Sequence, residues 1–132
     1  MKTKTVTFLI ISILFIGCKK EKSAENQQLV NGIYIGAFSS IESSDTKTAT
    51  TTITLDNGKF SCNGSINGVL NVGSGVFSYN DKIINFIDMN FRTQEYVYTL
   101  LSGEYNYIFD GKNLKISHYN NSAYHEYNLV KQ

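Results

Sequence analysis

The sequence contains no proline and no tryptophan, and it has only two cysteines and two histidines among its 132 residues. In their place it has nine tyrosines, ten glycines and many threonines and asparagines. This composition argues against a helical bundle and against a disordered chain. A length of 132 residues allows one ordinary domain.

The body of the chain also lacks a surplus of basic residues. Five of its lysines lie within the first 22 residues, so the overall charge of +1 conceals a more acidic remainder. From Ser23 onward, seven basic residues stand against ten acidic ones, a net charge of −3. Because nucleic-acid binding needs a basic face, we expect no nucleic-acid partner.

No hydrophobic run is long enough to span a membrane as a helix. The longest apolar run covers residues 6–16, which follow the basic start of the chain. Eleven helical residues rise only about 16 Å, roughly half of the hydrocarbon core of a bilayer. A short apolar run after a basic leader is typical of a signal peptide, so we expect a signal helix here.

The residues at the end of that run carry a more specific pattern. Phe15-Ile16-Gly17-Cys18 places a small residue directly before a cysteine, and it resembles the lipobox of bacterial lipoproteins. The resemblance implies cleavage before Cys18, a diacylglycerol on its thiol, and an acylated amino end with palmitate as the expected chain. The alternative is a plain secretory signal followed by an unrelated cysteine.

The lipobox resemblance sets the expected organisation and location. Residues 1–17 would be the signal peptide, residues 18–28 the lipidated Cys18 with a flexible tether, and residues 29–132 the folded domain. Acyl chains on Cys18 would hold the protein on a membrane, since each buried CH₂ contributes about 0.8 kcal/mol. Lys19 stands where inner-membrane lipoproteins typically carry Asp, so the resemblance implies the cell envelope and the outer membrane of a Gram-negative bacterium.

Acylation of Cys18 would also exclude an intramolecular disulfide with Cys62. Cys62 alternates with the hydrophobic Phe60 along the chain, which favours a buried thiol that packs as a small apolar group. A reactive thiol is the alternative.

Turn dipeptides divide the rest of the chain into hairpins. Asn57-Gly58 favours a two-residue type I′ turn because both central residues need positive φ. This turn would place Leu55 opposite Phe60 and Ile53 opposite Cys62, with the apolar side chains on one face.

Three further turns are predicted at Asn80-Asp81, Asp110-Gly111 and Asn120-Asn121. As two-residue turns they would oppose Phe77 to Ile84, Tyr107 to Leu114, and Ile116 to His125. In this register His118 would be a diagonal neighbour of His125, with α-carbons about 7–8 Å apart.

The last three strands then share an aromatic face. Its members are Tyr105, Tyr107, Phe109, Leu114, Ile116, His118, His125, Tyr127 and Leu129. One apolar and one polar face are typical of a half-buried antiparallel sheet. The polar stretch 38–48 is predicted as a loop, and the glycine-rich stretch 64–75 as either a bulged strand or a loop.

An open sheet would leave this aromatic face exposed to water and would leave two edge strands unpaired. We therefore predict an all-β fold, an antiparallel up-and-down meander of about eight to ten short strands that closes into a barrel. This order of elements resembles the small lipocalin-like, or calycin, barrels of Gram-negative lipoproteins. The residues that carry the resemblance are Gly32-Ile33-Tyr34-Ile35-Gly36 as the opening strand, residues 103–107 and 109–114, and the closing strand 124–130.

The candidate chemistry is sparse. A metal site needs three or four converging ligands, and no Cys, Asp or Glu joins His118 and His125 on their face. No serine lies in a Gly-x-Ser-x-Gly nucleophile elbow. We therefore expect no metal, no cofactor, no catalytic residue and no enzymatic activity.

The predicted binding residues line the barrel. They are Tyr105, Tyr107, Phe109, His118, His125 and Tyr127. Together they would offer an apolar wall with a few polar groups to a small apolar or amphipathic ligand. The alternative for these residues is a filled core. The alternative function is a protein-interaction module, such as an inhibitor of a lysozyme-type hydrolase or an envelope accessory protein that binds a periplasmic protein.

Overall fold

A computed structural model describes residues 28–29, 31–43, 45–66, 69–91, 98–120 and 123–132. The predicted signal helix, Cys18 and most of the tether lie outside these residues. The described chain forms nine strands: β1 Gly32–Glu42, β2 Asp45–Asp56, β3 Lys59–Ile66, β4 Val69–Tyr79, β5 Ile83–Asp88, β6 Tyr98–Leu100, β7 Gly103–Phe109, β8 Asn113–Asn120 and β9 Ala123–Lys131.

Eight of these strands close into a barrel. Neighbouring strands pair antiparallel in the order β1, β2, β3, β4, β5, β7, β8 and β9, and β9 pairs antiparallel with β1 to close the barrel. The short β6 adds to β4 as a parallel strand. The structure thus confirms the predicted all-β antiparallel meander, and the closed barrel is consistent with a lipocalin-like architecture. Every barrel strand has both its neighbours within residues 32–131, so this domain contains its own core.

The turn at Asn57-Gly58 is confirmed in full. Both residues have positive φ, 48° and 78°, as a type I′ turn requires. Leu55 pairs with Phe60 and Ile53 with Cys62, so the apolar side chains of β2 and β3 lie on the same face.

The three later hairpins have the predicted faces but a different register. Their turns are centred one residue further on, so Tyr107 pairs with Ile116 and Phe77 with Phe86. The cause is visible at Asp110, whose Oδ1 accepts hydrogen bonds from the amide N–H groups of Lys112 and Asn113. Asp and Asn favour the first position of such a turn, because only there can the side chain cap the following amides.

Asn80 caps its turn in the same way, accepting hydrogen bonds from the amide N–H groups of Lys82 and Ile83. A shift of two residues in pairing leaves every side chain on its predicted face, since the side-chain period along a strand is two. The error therefore changed the neighbours of each residue without exchanging the core with the surface.

The predicted loop 38–48 is wrong. Most of this stretch extends β1 and β2, which stay paired from Phe38 opposite Ala49 to Glu42 opposite Asp45. On its other side β1 pairs with β9 as far as Glu42 opposite Ala123. Backbone pairing on both sides of β1 keeps this polar segment extended. In the stretch 64–75, β3 continues to Ile66 and β4 begins at Val69.

Side chains fill the middle of the barrel. Within the described part of the chain, twelve large side chains are less than 2% exposed, among them Tyr34, Phe38 and Tyr127. The aromatic rings contact one another, with centroids 4.7 Å apart for Phe38–Tyr127 and 4.9 Å for Phe60–Phe86. Burial of such rings is the main source of stability in a small domain of this type.

The two ends of the barrel differ. One end, called here the turn end, carries the 57–58, 80–82 and 110–112 turns. Leu29 is buried there, and its carbonyl oxygen accepts a hydrogen bond of 3.0 Å from the Tyr79 hydroxyl. Asn31 makes two hydrogen bonds with Asn57. Leu29 and Asn31, which precede β1, thus contact the turn end at Tyr79 and Asn57.

The opposite end, called here the histidine end, is formed where β1 and β8 finish and β9 begins.

Among the described residues, no helix has the length and apolar character needed to cross a membrane.

Candidate functional site

The two histidines of the chain lie side by side at the histidine end. His118 on β8 pairs directly with His125 on β9. The predicted diagonal arrangement is wrong, because the turn beyond them is centred one residue later than expected. Directly opposed residues have Cβ atoms about 4.5–5.5 Å apart. Both side chains are half-buried on the inner side of their strands.

Aromatic rings of the core lie directly beneath the histidines. The His125 ring meets the Phe38 ring edge-on, with their centroids 5.6 Å apart, and the centroids of the His118 and Tyr105 rings are 5.0 Å apart. Tyr127 contacts both Phe38 and Tyr105. These three rings, Phe38, Tyr105 and Tyr127, are called the aromatic floor below. The histidine end therefore combines an apolar floor with two polar imidazoles.

His118 is held by a backbone contact. Its Nδ1 lies 2.7 Å from the carbonyl oxygen of Glu104 on the neighbouring β7. Because a carbonyl oxygen only accepts hydrogen bonds, Nδ1 carries the proton in this contact. In the neutral ring, Nε2 of His118 then keeps its lone pair.

His125 is biased toward its neutral form. Burial lowers its pKa below the ordinary value of 6.5, and the neighbouring His118 lowers it further. Glu42 acts in the opposite direction and favours the charged ring. Burial is the largest of these effects, and it favours the neutral ring.

Two residues at this end were missed because they fell in the predicted loop. Ser40, 8% exposed, pairs with His125, and Glu42 follows two residues later on the same side of β1. The alternation of Phe38, Ser40 and Glu42 continues the period of the strand and was the available signal. Ser40 adds a hydroxyl to the polar groups above the aromatic floor.

Tyr105 belongs to the floor and is strongly buried. Burial raises its pKa to about 12, although a backbone hydrogen bond with Ser102 opposes that rise. Tyr127 is fully buried. Of the six predicted lining residues, these two and the two histidines lie together at the histidine end.

Tyr107 and Phe109 lie at the turn end instead. The Tyr107 hydroxyl donates a hydrogen bond of 2.6 Å to the carbonyl oxygen of Asn80. Burial raises the Tyr107 pKa, and the nearby Tyr79 and Asp81 add to that rise. Phe109 packs edge-on against Tyr34 with centroids 6.1 Å apart. The structure thus divides the predicted lining between two separate places.

Cys62 is buried in the core, as one of the two interpretations proposed. Burial raises the pKa of its thiol to about 11, and a contact of 3.5 Å with the Thr51 hydroxyl only partly opposes this. A thiol that stays protonated at neutral pH is a weak nucleophile. Cys18, the predicted lipid anchor, lies outside the described residues.

The described residues contain no group of three or more His, Cys, Asp or Glu side chains that could hold a metal ion. His118 and His125 are a pair without a third such ligand in that part of the chain. Any ion held there would complete its coordination with water or with a bound molecule.

The outer surface carries an apolar patch on β4, β5 and the residues that follow β5. Val76 and Ile87 pair across the two strands and are 38% and 53% exposed. Met89 and Phe91, further along the chain, are 70% and 97% exposed. Phe91 also borders a groove of about 530 Å³ that includes Asn90.

Comparison of the chain with protein-family models, with curated proteins and with solved structures finds no match.

Proposed function

We propose that the protein is a membrane-anchored lipoprotein whose barrel binds a small apolar or amphipathic molecule at the histidine end without transforming it. The observation that carries this proposal is the contact between the two half-buried imidazoles and the aromatic floor. An apolar base with a few polar groups at its edge is typical of a small-molecule site.

The filled core decides where such a molecule would bind. Tyr127 and Phe38 are fully buried against each other in the middle of the barrel. A ligand would therefore bind above the aromatic floor, at the half-buried His118 and His125. Its apolar part would pack on the imidazole rings, and its polar group would bond to His118, His125 or Ser40.

Fluorescence titration with 1-anilinonaphthalene-8-sulfonate, an amphipathic probe, tests the site in the barrel domain, residues 28–132. We expect saturable binding of one probe per chain, weakened about fivefold or more in His125→Ala, since the probe loses one polar contact there. Lys112→Ala, at the opposite end, is the matched control and should leave binding unchanged. Equal binding by His125→Ala and the wild type would refute the location.

The ligand itself can be sought without guessing its identity. Native mass spectrometry of the barrel domain purified from its own host should show a bound small molecule, and the amount bound should fall in His125→Ala. Mass spectra that repeatedly show the domain without a bound molecule would contradict the binding function.

The lipoprotein proposal rests on residues 1–18 of the sequence. Growth with an alkyne-labelled palmitate should label the wild-type chain and place it in the outer-membrane fraction. Cys18→Ser should lose both the label and the membrane attachment. Cys62→Ser changes the other cysteine and should keep both. A labelled Cys18→Ser chain would disprove the assignment of the anchor.

The exposed apolar patch favours the second candidate function, a protein-interaction module such as a hydrolase inhibitor or an envelope accessory protein. Exposed large apolar side chains in contiguous positions are typical of interaction surfaces. Pull-down from periplasmic extract should retain a partner that Phe91→Ser loses and His125→Ala keeps. The opposite pattern would assign the partner to the histidine end.

A further inference from the structure

The only two histidines of the chain occupy directly opposed positions on neighbouring strands. Their side chains leave the same face of the sheet, with Cβ atoms about 4.5–5.5 Å apart. Two imidazoles at this spacing can direct one nitrogen each toward a common point. The diagonal arrangement expected from the sequence would have set them further apart.

The surroundings of His118 fit those of a metal ligand. Metal-binding histidines usually donate their second ring N–H to a carboxylate or a backbone carbonyl, which fixes the ring and the tautomer. His118 makes this contact from Nδ1 to the Glu104 carbonyl oxygen at 2.7 Å. Its Nε2 is thereby the nitrogen that can bind an ion.

We propose that His118 and His125 together bind one divalent transition-metal ion, with Zn²⁺, Cu²⁺ and Ni²⁺ as the candidates. Imidazole nitrogen is a preferred ligand of all three ions. The remaining coordination positions are taken by water or by an oxygen atom of a bound molecule.

The ring of His125 is also oriented by a contact, because it meets Phe38 edge-on with centroids 5.6 Å apart. The inference does not depend on the amphipathic ligand, because it needs only the two rings.

Titration of the full chain in detergent micelles with Zn²⁺, followed by calorimetry, tests the site. We expect one ion per chain beyond any bound by the double variant His118→Gln/His125→Gln. Each single variant should bind about tenfold more weakly or worse, because it loses the second of two linked contacts. Cys62→Ser is the matched control, because it removes a possible sulfur ligand in place of an imidazole nitrogen. It should bind Zn²⁺ like the wild type.

Spectroscopy of the metal complexes identifies the ligands directly. The electron paramagnetic resonance spectrum with Cu²⁺ should show coupling to two imidazole nitrogens in the wild type and to one in each single variant. In ring-nitrogen NMR spectra of the wild type, Zn²⁺ should shift Nε2 of His118 and not Nδ1. This measurement needs no substitution, so it holds even if a variant fails to fold.

Three results would overturn the proposal: single variants that bind Zn²⁺ as tightly as the wild type, a Cu²⁺ spectrum without imidazole coupling, or a shift confined to Nδ1 of His118. A wild-type chain that binds the fluorescent probe but does not bind Zn²⁺ would reject the metal site and leave the amphipath site standing.

Discussion

At the scale of single residues, Glu126 shows how the outer face of the barrel is held. Its carboxylate accepts hydrogen bonds from Tyr124 at 2.8 Å and Asn128 at 2.6 Å, and it pairs with the Lys115 ammonium at 2.8 Å. These contacts lower its pKa from 4.5 to about 2, with the Lys115 hydrogen bond as the largest cause. Lys115 and Glu126 are diagonal neighbours on β8 and β9, a spacing that a long side chain can bridge.

This carboxylate gives a stability that depends on pH. A pKa lower in the folded state means that the stabilisation is present above about pH 5 and is lost as the pH falls toward 2. We expect Glu126→Gln to lower the free energy of unfolding by about 1 kcal/mol at pH 7, a value reduced for solvent screening. Denaturant unfolding at pH 7, 4 and 2.5 measures the difference between the variant and the wild type.

The difference should shrink steadily from pH 5 to pH 2. Some acid sensitivity will remain in the variant, because hydrogen bonds from Asn113 and Lys112 also lower the pKa of Asp110 to about 2. A variant whose loss of stability is the same at every pH would contradict the role assigned to Glu126.

At the scale of elements, the turns explain where the sequence predictions were correct and where they were not. Asn57-Gly58 formed the predicted turn because both residues adopt positive φ. Asp110 and Asn80 instead occupy the first position of their turns, because each side chain accepts hydrogen bonds from two backbone amides that follow it. The same residue types thus favour two turn positions, and local sequence does not distinguish them well.

Gly58→Ala tests the first of these turns. The position has φ of 78°, and a Cβ added there would meet only the Phe77 carbonyl oxygen, at an ordinary contact distance of 3.7 Å. The space is therefore sufficient, and the strain comes from the backbone. We expect a loss of about 1 kcal/mol in the free energy of unfolding, the usual cost of a left-handed non-glycine residue. Thermal and denaturant unfolding provide the measurement.

Lys59→Ala, one residue further on and exposed, is the matched control and should change stability by less than about 0.5 kcal/mol. Equal stability of Gly58→Ala and the wild type would mean that the turn relaxes to another geometry.

At the scale of the whole molecule, the contact between the first and last strands closes the barrel. β1 and β9 pair over nine residues, from Tyr34 opposite Lys131 to Glu42 opposite Ala123. At Gly36 the two backbones approach so closely that a Cβ would overlap the Asn128 carbonyl oxygen and lie 2.9 Å from the Leu129 Cα. This seam removes both edges of the sheet and seals the aromatic core.

Gly36→Ala should therefore open the seam. The two backbones would have to separate, so we expect a loss of roughly 3 kcal/mol in the free energy of unfolding. Hydrogen exchange should accelerate at the amides of β1 and β9 more than at those of β2 and β3. Ala37→Ser, on the outward side of the same strand, is the control and should leave exchange at the seam unchanged. Protected seam amides in Gly36→Ala would refute this account of closure.

The sequence by itself determined which side chains face inward. Strand alternation depends only on residue parity, so the burial of Tyr105, Tyr107 and Tyr127 was predicted correctly even though the pairing was two residues off. The need to bury that face then led to the closed barrel. The lipobox pattern likewise depends only on residues 1–18.

Only the tertiary structure decided which inward residues meet. Ser40 and Glu42 joined the histidine end because β9 holds the polar end of β1 in the sheet. Their alternation with Phe38 allowed a strand there, but local sequence does not specify which strand it pairs with. The direct opposition of His118 and His125, and the separation of Tyr107 and Phe109 from them, follow from the register of strands. Register depends on how the turns and the closed sheet satisfy their backbone hydrogen bonds together, and that balance exists only in the folded molecule.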